Sequence, residues 1–589
     1  MFSFVRFASR RKSTLARLPR LGRLATIEIL SRSFSQLQAH YGSDHEFFRY
    51  TTAERSKEES AGKLRSDKYF EFNVNELCSV AAKSCGAEKC TGIKKLNDDG
   101  KNRVLSLRLD NGKEVVARLP LPNTGPPHLL TASEVATLDF VKNVMDIPAP
   151  KVLAWSSRAE STPIGAEFII LEKVDGVPLA SVPSWRDGER REWPYFKKLL
   201  IQMVRTDEKY TKHRIAKYGS LFYREDVVGY PHTLKIFEDQ SQDNEVTRKF
   251  AIGPSMSSHL WRDERRLLDV DRGPWSTPVE YATGRIRCQQ EWLRKFAKPR
   301  LLEDPAYVSA EDNDPQNHIT ALDDCLEAFS LAMPHAYASP TIWHPDSHQG
   351  NLFVTRDEGK RYQLSGMIDW QFTSIGPFFH QVKTPNAFRY TGTRVEATRG
   401  TAEVDLPDNF DELPEDEKKL VRKEEFDAIA HVAYKDCRRR VPELDELIGH
   451  FHYTIVMNPF FAALDSWERG LDELQFQLLV LTTENNWNAI VPDHERPFFY
   501  TEGEESRILR NFRRLGEYQK RFASIDEKLA SGDYDWTTAD DVEEYQYDEC
   551  LRMLDDYRIA QARAFNFQVL NKYIPYRKFF SDSSGSPDE

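Results

Sequence analysis

The segment Trp343-His344-Pro345-Asp346-Ser347-His348-Gln349-Gly350-Asn351-Leu352-Phe353-Val354 holds the residues of this chain best suited to chemistry. It sets a carboxylate, Asp346, ahead of an amide, Asn351, in the pattern H-x-D-x-x-x-x-N. Phosphoryl transfer needs such a pair. The carboxylate meets an incoming hydroxyl, and an amide oxygen at this spacing turns back toward a magnesium ion. The apolar run Leu352-Phe353-Val354 then reads as a strand entering the core. A second acid follows in Gly366-Met367-Ile368-Asp369-Trp370, again between apolar residues. Asp369 is placed to ligate magnesium that bridges phosphate groups. Either pattern alone is weak, but in this order, each at a strand boundary, they point to one site.

Blander readings exist for the same residues. His344 and His348 could be ordinary loop histidines and Asp369 a turn acid. The two histidines could also be zinc ligands at helical i, i+4 spacing, but Pro345 and Gly350 oppose a helix there and no HExxH occurs. Neither a G-x-S-x-G nucleophile elbow nor a Walker A lysine is found.

Positioning this chemistry requires both strands and helices. Leu105, Leu107 and Leu109 alternate with Ser106 and Arg108, the period of a strand. Asp110-Asn111-Gly112 follows, and Asn-Gly favours a tight primed turn back into a strand from Glu114 to Leu119. Thr131-Ala132-Ser133-Glu134 fits a capping box opening a helix, with Leu138, Val141 and Met145 along its apolar stripe. Glu167 to Glu172 reads as a third strand. Helical patterns cover 413–440, 470–487, 503–530 and 540–570, whose charged faces read as solvated. Five segments result. Residues 1–34 differ in composition from the rest, and 35–75 form a polar linker or irregular lead-in. Residues 76–180 mix strand and helix. Residues 181–575 are mainly helical, with the catalytic loop at 343–354 and an insertion at 208–290. Residues 576–589 form a small polar tail that should be disordered. Residues 380–412 read as a long loop.

With 589 residues, a net charge of -11 and 40% hydrophobic residues, the chain can bury a core but lacks the basic surface of a general nucleic-acid binder. No apolar run is long enough to span a bilayer as a transmembrane segment. Seven scattered cysteines without a CxxC oppose a disulfide framework or zinc ribbon and fit reduced thiols. The N-terminus carries Arg6, Arg10, Arg11, Lys12, Arg17, Arg20 and Arg23 before its first acid, Glu28, with leucines at 15, 18, 21 and 24. This Arg-rich amphipathic start reads as a mitochondrial transit peptide, with the import machinery as partner and the matrix as destination. Arg32-Ser33-Phe34-Ser35 resembles a matrix-peptidase site that would cut after Phe34. The alternative is a disordered basic arm.

The run His344 to Asn351, followed by Ile368-Asp369-Trp370, resembles the aminoglycoside phosphotransferase family, the small-molecule branch of the kinase-like fold, over roughly 90–400. The leader and the segment from Thr131 to Thr137 resemble the fungal "altered inheritance of mitochondria protein 9" group. The resemblance implies an α+β, bilobal kinase-like fold with a small strand-rich N-lobe and a large helical C-lobe. It implies ATP and Mg2+ as cofactors and an unknown small-molecule hydroxyl compound as acceptor. Asp346 would be catalytic, and Asn351 and Asp369 would hold the metal. Arg118 sits where the family carries its phosphate-binding lysine, although an arginine is not equivalent to one. Glu134 would pair with Arg118, and Glu172 to Val174 would form the hinge that meets adenine. Asn97 to Asn102 would cover the phosphates. Arg118 and Glu134 also have plainer readings, a surface arginine on a strand and a capping glutamate.

The intact Asp346–Asn351–Asp369 set favours an enzyme, Arg118 with the poor phosphate-covering loop favours an inactive relative used as a structural or assembly factor, and two departures bear on activity. The phosphate-covering loop has a single glycine, Gly100. Gly376-Pro377 is followed by Phe378-Phe379-His380, where the family often has an acid. A protein kinase is disfavoured because no A-P-E follows Asp369. An acidic cleft would suit a cationic metabolite, but net charge alone does not locate the charge.

Overall fold

The computed structural model describes residues 47–48, 69–96, 101–122, 124–301, 309–390, 392, 394–397, 404–449 and 451–512. The leader, most of the 35–75 segment, the phosphate-loop residues 97–100, the helical patterns beyond 512 and the tail lie outside the described residues.

The chain forms an α+β structure with a strand-rich N-terminal part and a helical C-terminal part. The former is built on a five-stranded antiparallel sheet in the order β1-β2-β3-β5-β4. Its strands are β1 (Cys90–Lys95), β2 (Asn102–Leu109), β3 (Glu114–Pro120), β4 (Val152–Ser156) and β5 (Phe168–Glu172). Strand periodicity divides its side chains between two faces. Leu105, Leu107, Leu109, Ala117, Leu119 and Ile170 pack under helix α1 (Val74–Ser84) together with Phe47, Phe48 and Phe72. Phe47, Phe48, Phe72 and Val74 of the 35–75 segment therefore belong to this core. The opposite face carries Arg118 and meets helix α2 (Leu129–Asn143).

Two local expectations are corrected. The β2–β3 connection is a three-residue loop in which Leu109 N–H donates to Lys113 O at 2.9 Å. Only Gly112 takes a positive φ, 81°, so Asn111 does not form the primed pair. Helix α2 begins before the supposed capping box, after His128. Thr131 instead donates its hydroxyl to Glu167 at 2.6 Å, and Glu134 turns to Arg118.

The C-terminal part contains α3 (Trp193–Lys212), α4 (Pro278–Phe296), α5 (Pro315–Ala332), α6 (Glu415–Arg438), α7 (Phe451–Leu464) and α8 (Leu471–Thr482). Their apolar faces share one core with α2 and the back of the sheet. Not every charged residue on these helices is solvated: Glu425, Asp472 and Glu473 are buried. Strand β6 (Val177–Pro178) leaves the small sheet and pairs with β10 (Leu352–Arg356), itself paired with β11 (Tyr362–Met367). Gly176 makes this crossing possible: at φ 90°, a side chain there would be strained and would run into the Val354 carbonyl. Strands β9 (Pro340–Ile342) and β12 (Ile375–Pro377) bracket the catalytic segment.

The 208–290 segment overlaps the end of α3 and the start of α4, and between them carries the hairpin β7 (Ser220–Tyr223) and β8 (Phe250–Gly253). Phe222, Ala251 and Met256 pack with Leu129 and Ala132 of α2. Gly219 exchanges two backbone hydrogen bonds with Ile375, at 3.1 and 2.7 Å. The segment thus braces both the helix bearing Glu134 and the strand that follows Asp369. Among the described residues, six cysteines are free thiols and no helix is long and apolar enough to cross a membrane.

Candidate functional site

The catalytic segment is held by hydrogen bonds from its own backbone. His344 is buried with its ring edge-on to Trp370, at 4.5 Å between centroids. Its Nδ1 accepts from the Asp346 N–H at 3.1 Å, so Nε2 must carry the proton it gives to Ile368 O at 3.0 Å. Burial pushes the imidazole pKa down to about 4, in keeping with a neutral ring. His344 therefore ties the loop of Asp346 to the residue before Asp369. His348 accepts from the Gly350 N–H at 2.9 Å and stands 3.9 Å from Asp346.

Asn351, at the entrance to β10, donates Nδ2 to Asp346 O at 2.9 Å, while its own carbonyl accepts from Ile368 N–H at 3.0 Å. With the amide nitrogen engaged, the oxygen is the end available to a cation. These contacts bring Asp346, Asn351 and Asp369 together. Asp346 also accepts from Asn386 Nδ2 at 3.2 Å, a contact across the long loop that the sequence did not signal.

Asp369 adopts φ 67°, in the left-handed region that non-glycine residues seldom occupy. Such backbone strain persists only where the surroundings enforce it, and it gathers at functional positions. Arg118 Nη2 donates to Asp369 Oδ1 at 2.5 Å, and Nη1 donates to Glu134. Protein surrounds the Asp369 carboxyl, yet 36% of its side chain stays open. Burial would raise its pKa, but the Arg118 guanidinium outweighs burial and, with Lys101 and His344, holds the carboxyl below its ordinary value.

The remaining expected residues are distributed around this centre. Glu172 ends β5 exposed, its N–H bonded to Lys151 O at 2.9 Å. Val174 packs over Gly366 of β11, so closely that a Cβ on Gly366 would meet its Cγ1 at 2.5 Å. Asn102 is buried and forms a reciprocal amide pair with Gln371, both bonds 3.1 Å. Its side chain thus locks the start of β2 to the loop after Asp369. Neighbouring Lys101 lies 4.7 Å from the Phe372 ring and bears electrostatically on Asp369. Lys101 belongs to the segment expected to cover the phosphates, whereas Gln371 was not anticipated, although its position so soon after Asp369 is a usable signal. Among the described residues no cluster of three or more His, Cys, Asp or Glu side chains could hold a metal by protein ligands alone.

Residues 281–382, which include the catalytic segment and Asp369, match the phosphotransferase enzyme family. A subtelomeric hrmA-associated cluster protein of Aspergillus fumigatus is 27% identical over 83% of this chain and 97% of its own length. The altered inheritance of mitochondria protein 9, mitochondrial, of Yarrowia lipolytica is 24% identical over 64% of this chain and 65% of its own length. The Plasmodium vivax ethanolamine kinase structure covers 76% of this chain and 96% of its own, with 14% identity and a TM-score of 0.34. The match to the phosphotransferase enzyme family thus falls on residues 281–382, within a chain whose small antiparallel sheet is joined to a helical part.

Proposed function

We propose that this protein is a mitochondrial phosphotransferase that moves the γ-phosphoryl group of ATP to a hydroxyl of a small molecule. The observation that carries this reading is the convergence of Asp346, Asn351 and Asp369 through the Asn351–Asp346 and Asn351–Ile368 hydrogen bonds. Asp346 would orient the hydroxyl and accept its proton as the oxygen attacks the γ-phosphorus and the bond to the bridging oxygen of ADP breaks. Asn351 and Asp369 fit the protein's share of a magnesium site, since this ion is usually held by one or two protein groups together with substrate phosphates. When bound, magnesium neutralises phosphate charge. Arg118 and Lys101 supply fixed positive charge on the small-lobe side, and the backbone of Glu172 to Val174 would meet the adenine. Positioning and electrostatics would account for most of the rate.

Mitochondrial placement is supported by relatives that are named as mitochondrial, and the matrix is the destination suggested by the Arg-rich leader alone. A second reading, a weak or inactive kinase-like protein serving a structural or assembly role, is favoured by the direct Arg118–Asp369 bond, which engages one oxygen of the intended metal ligand. A screen with purified protein, ATP–magnesium and a metabolite library separates the two. Loss of one metabolite with appearance of its phosphate ester supports the enzyme. Absence of both ester formation and magnesium-dependent ATP binding supports the second reading.

A further inference from the structure

Beside Asp346 the large lobe gathers positive charge without matching carboxylates. Lys383 lies three residues before Asn386, whose amide holds Asp346 at 3.2 Å. The Lys383 side chain is exposed to solvent, and desolvation by the surrounding protein with the charges of Arg285 and Arg389 lowers its pKa to about 8. After this desolvation, the charges that bear on it are Arg285, Arg389, Asp346 and Arg469. Of these, Asp346 is the one acid, and Arg469 is already paired with Asp465 at 3.4 Å.

Arg285 of α4 is the second anchor. It is 5% exposed, donates to the Tyr281 hydroxyl, and leaves Nε without a hydrogen-bond partner. The Tyr281 hydroxyl meets His380 Nδ1 at 3.1 Å, and His380 stacks on Phe461 at 5.1 Å. Lys383 Nζ lies 5.8 Å from the centre of that same Phe461 ring. Arg285, His380 and Lys383 thus border one patch. Among the described residues no carboxylate lies within ion-pair distance of Arg285 or Lys383. A buried arginine lacking a counter-ion is costly unless a ligand supplies the negative charge. The absence of an acid after Gly376-Pro377, where Phe378, Phe379 and His380 stand, has the same sense.

We infer that the acceptor pocket beside Asp346 binds an anionic hydroxyl compound, with Lys383 and Arg285 receiving its carboxylate or phosphoryl group. This rests on the phosphotransferase reading and specifies its substrate class, which the overall charge of the chain left open. Lys383 would be a specificity residue, with Asp346 as the proton acceptor.

The test pairs anionic acceptors (glycerol 3-phosphate and other sugar phosphates, glycerate and other hydroxy acids) with cationic ones (ethanolamine, streptomycin), using full-length protein and ATP–magnesium. Ester formation is followed by mass spectrometry. The anionic set should supply the turned-over acceptors. Lys383→Gln should raise the acceptor KM about tenfold, Lys383→Glu more, and Lys383→Arg less, with the KM for ATP unchanged. Preference for the cationic set would overturn the inference, as would an effect of Lys383→Glu on the KM for ATP alone, which would place Lys383 on the nucleotide phosphates. If no acceptor is turned over, calorimetric titration of glycerol 3-phosphate and of glycerate decides. Binding that Lys383→Glu abolishes sustains the inference, and no Lys383-dependent binding of either ends it. ATP–magnesium binding, measured separately, reports on the phosphotransferase reading alone.

Discussion

Arg118 reaches Asp369 with one nitrogen, at 2.5 Å, while its other terminal nitrogen bonds Glu134. One guanidinium thereby connects the small sheet, helix α2 and the loop of Asp369. A fork is needed to do this, because an ammonium is a point charge that cannot present two fixed, parallel donors. Glu134 is 2% exposed at its side chain, so removing Arg118 takes a cation away from a buried carboxylate.

The first prediction concerns stability. Arg118→Ala should destabilise the protein by about 3–5 kcal/mol, and Arg118→Lys by about half as much. Glu134→Gln in the Arg118→Ala background should recover part of the loss, since it removes a buried charge that has lost the Arg118 guanidinium. Urea unfolding midpoints of the four proteins check this, and equal effects of the alanine and lysine variants would contradict it.

A second prediction follows from the close contact of Gly366 with Val174. A methyl group on Gly366 would meet Val174 Cγ1 at 2.5 Å, and a β-branched side chain has little freedom to turn away. Gly366→Ala should cost about 1–3 kcal/mol and, if Glu172 to Val174 meet adenine as proposed, weaken ATP binding by displacing that segment. Adding Val174→Ala should restore much of both. Unfolding and nucleotide titration of the single and double variants measure the coupling.

The pH dependence has a definite sign. Burial holds the His344 pKa near 4, and His380 is pushed well below its ordinary value by burial and the charges of Arg285 and Lys383. Between pH 6.5 and about 4 the unfolded chain takes up protons that the native state refuses. Stability should therefore be complete above pH 6.5 and fall as the pH drops through that window, by up to ~3 kcal/mol for His344. His344→Gln should flatten part of the slope. Unfolding measured at several pH values between 4.5 and 7.5 would show it, and an unchanged slope would assign the effect to other groups.

Much of this site is legible in the sequence because it is local. Asp346 and Asn351 lie in one short loop, and Asp369 follows a strand that any reading of Leu364 to Met367 places in the core. The β2–β3 hairpin was visible from alternation, but the turn type was not, because it depends on whether Asn111 or only Gly112 turns left-handed. The start of α2 was misread because Thr131 offers the same hydroxyl to a cap or to Glu167, and only tertiary packing decides. Strands β7 and β8 are four residues each and buried on both faces, so they show no alternation. Asn386, Lys383 and Arg285 come from distant segments and carry no local signature. Only the folded long loop brings Asn386 to Asp346, and the role proposed for Lys383 and Arg285 depends on the same tertiary arrangement.

Targeting makes a separate prediction. Residues 1–43 fused to a reporter should be imported into mitochondria and shortened after Phe34. Cytosolic residence of the full fusion would contradict it.

The most direct measurement is calorimetric titration of ATP, with and without magnesium, into the wild type, Asp369→Ala and Asp346→Asn. The wild type should bind ATP in a magnesium-dependent manner. Asp369→Ala should lose that dependence because a charged ligand is gone, while Asp346→Asn should bind nearly as the wild type does and lose turnover. Circular dichroism should show both variants folded. A wild type without magnesium-dependent binding, or an Asp369→Ala variant that binds as the wild type does, would contradict the assignment of Asp369 and Asn351 to a magnesium–nucleotide site.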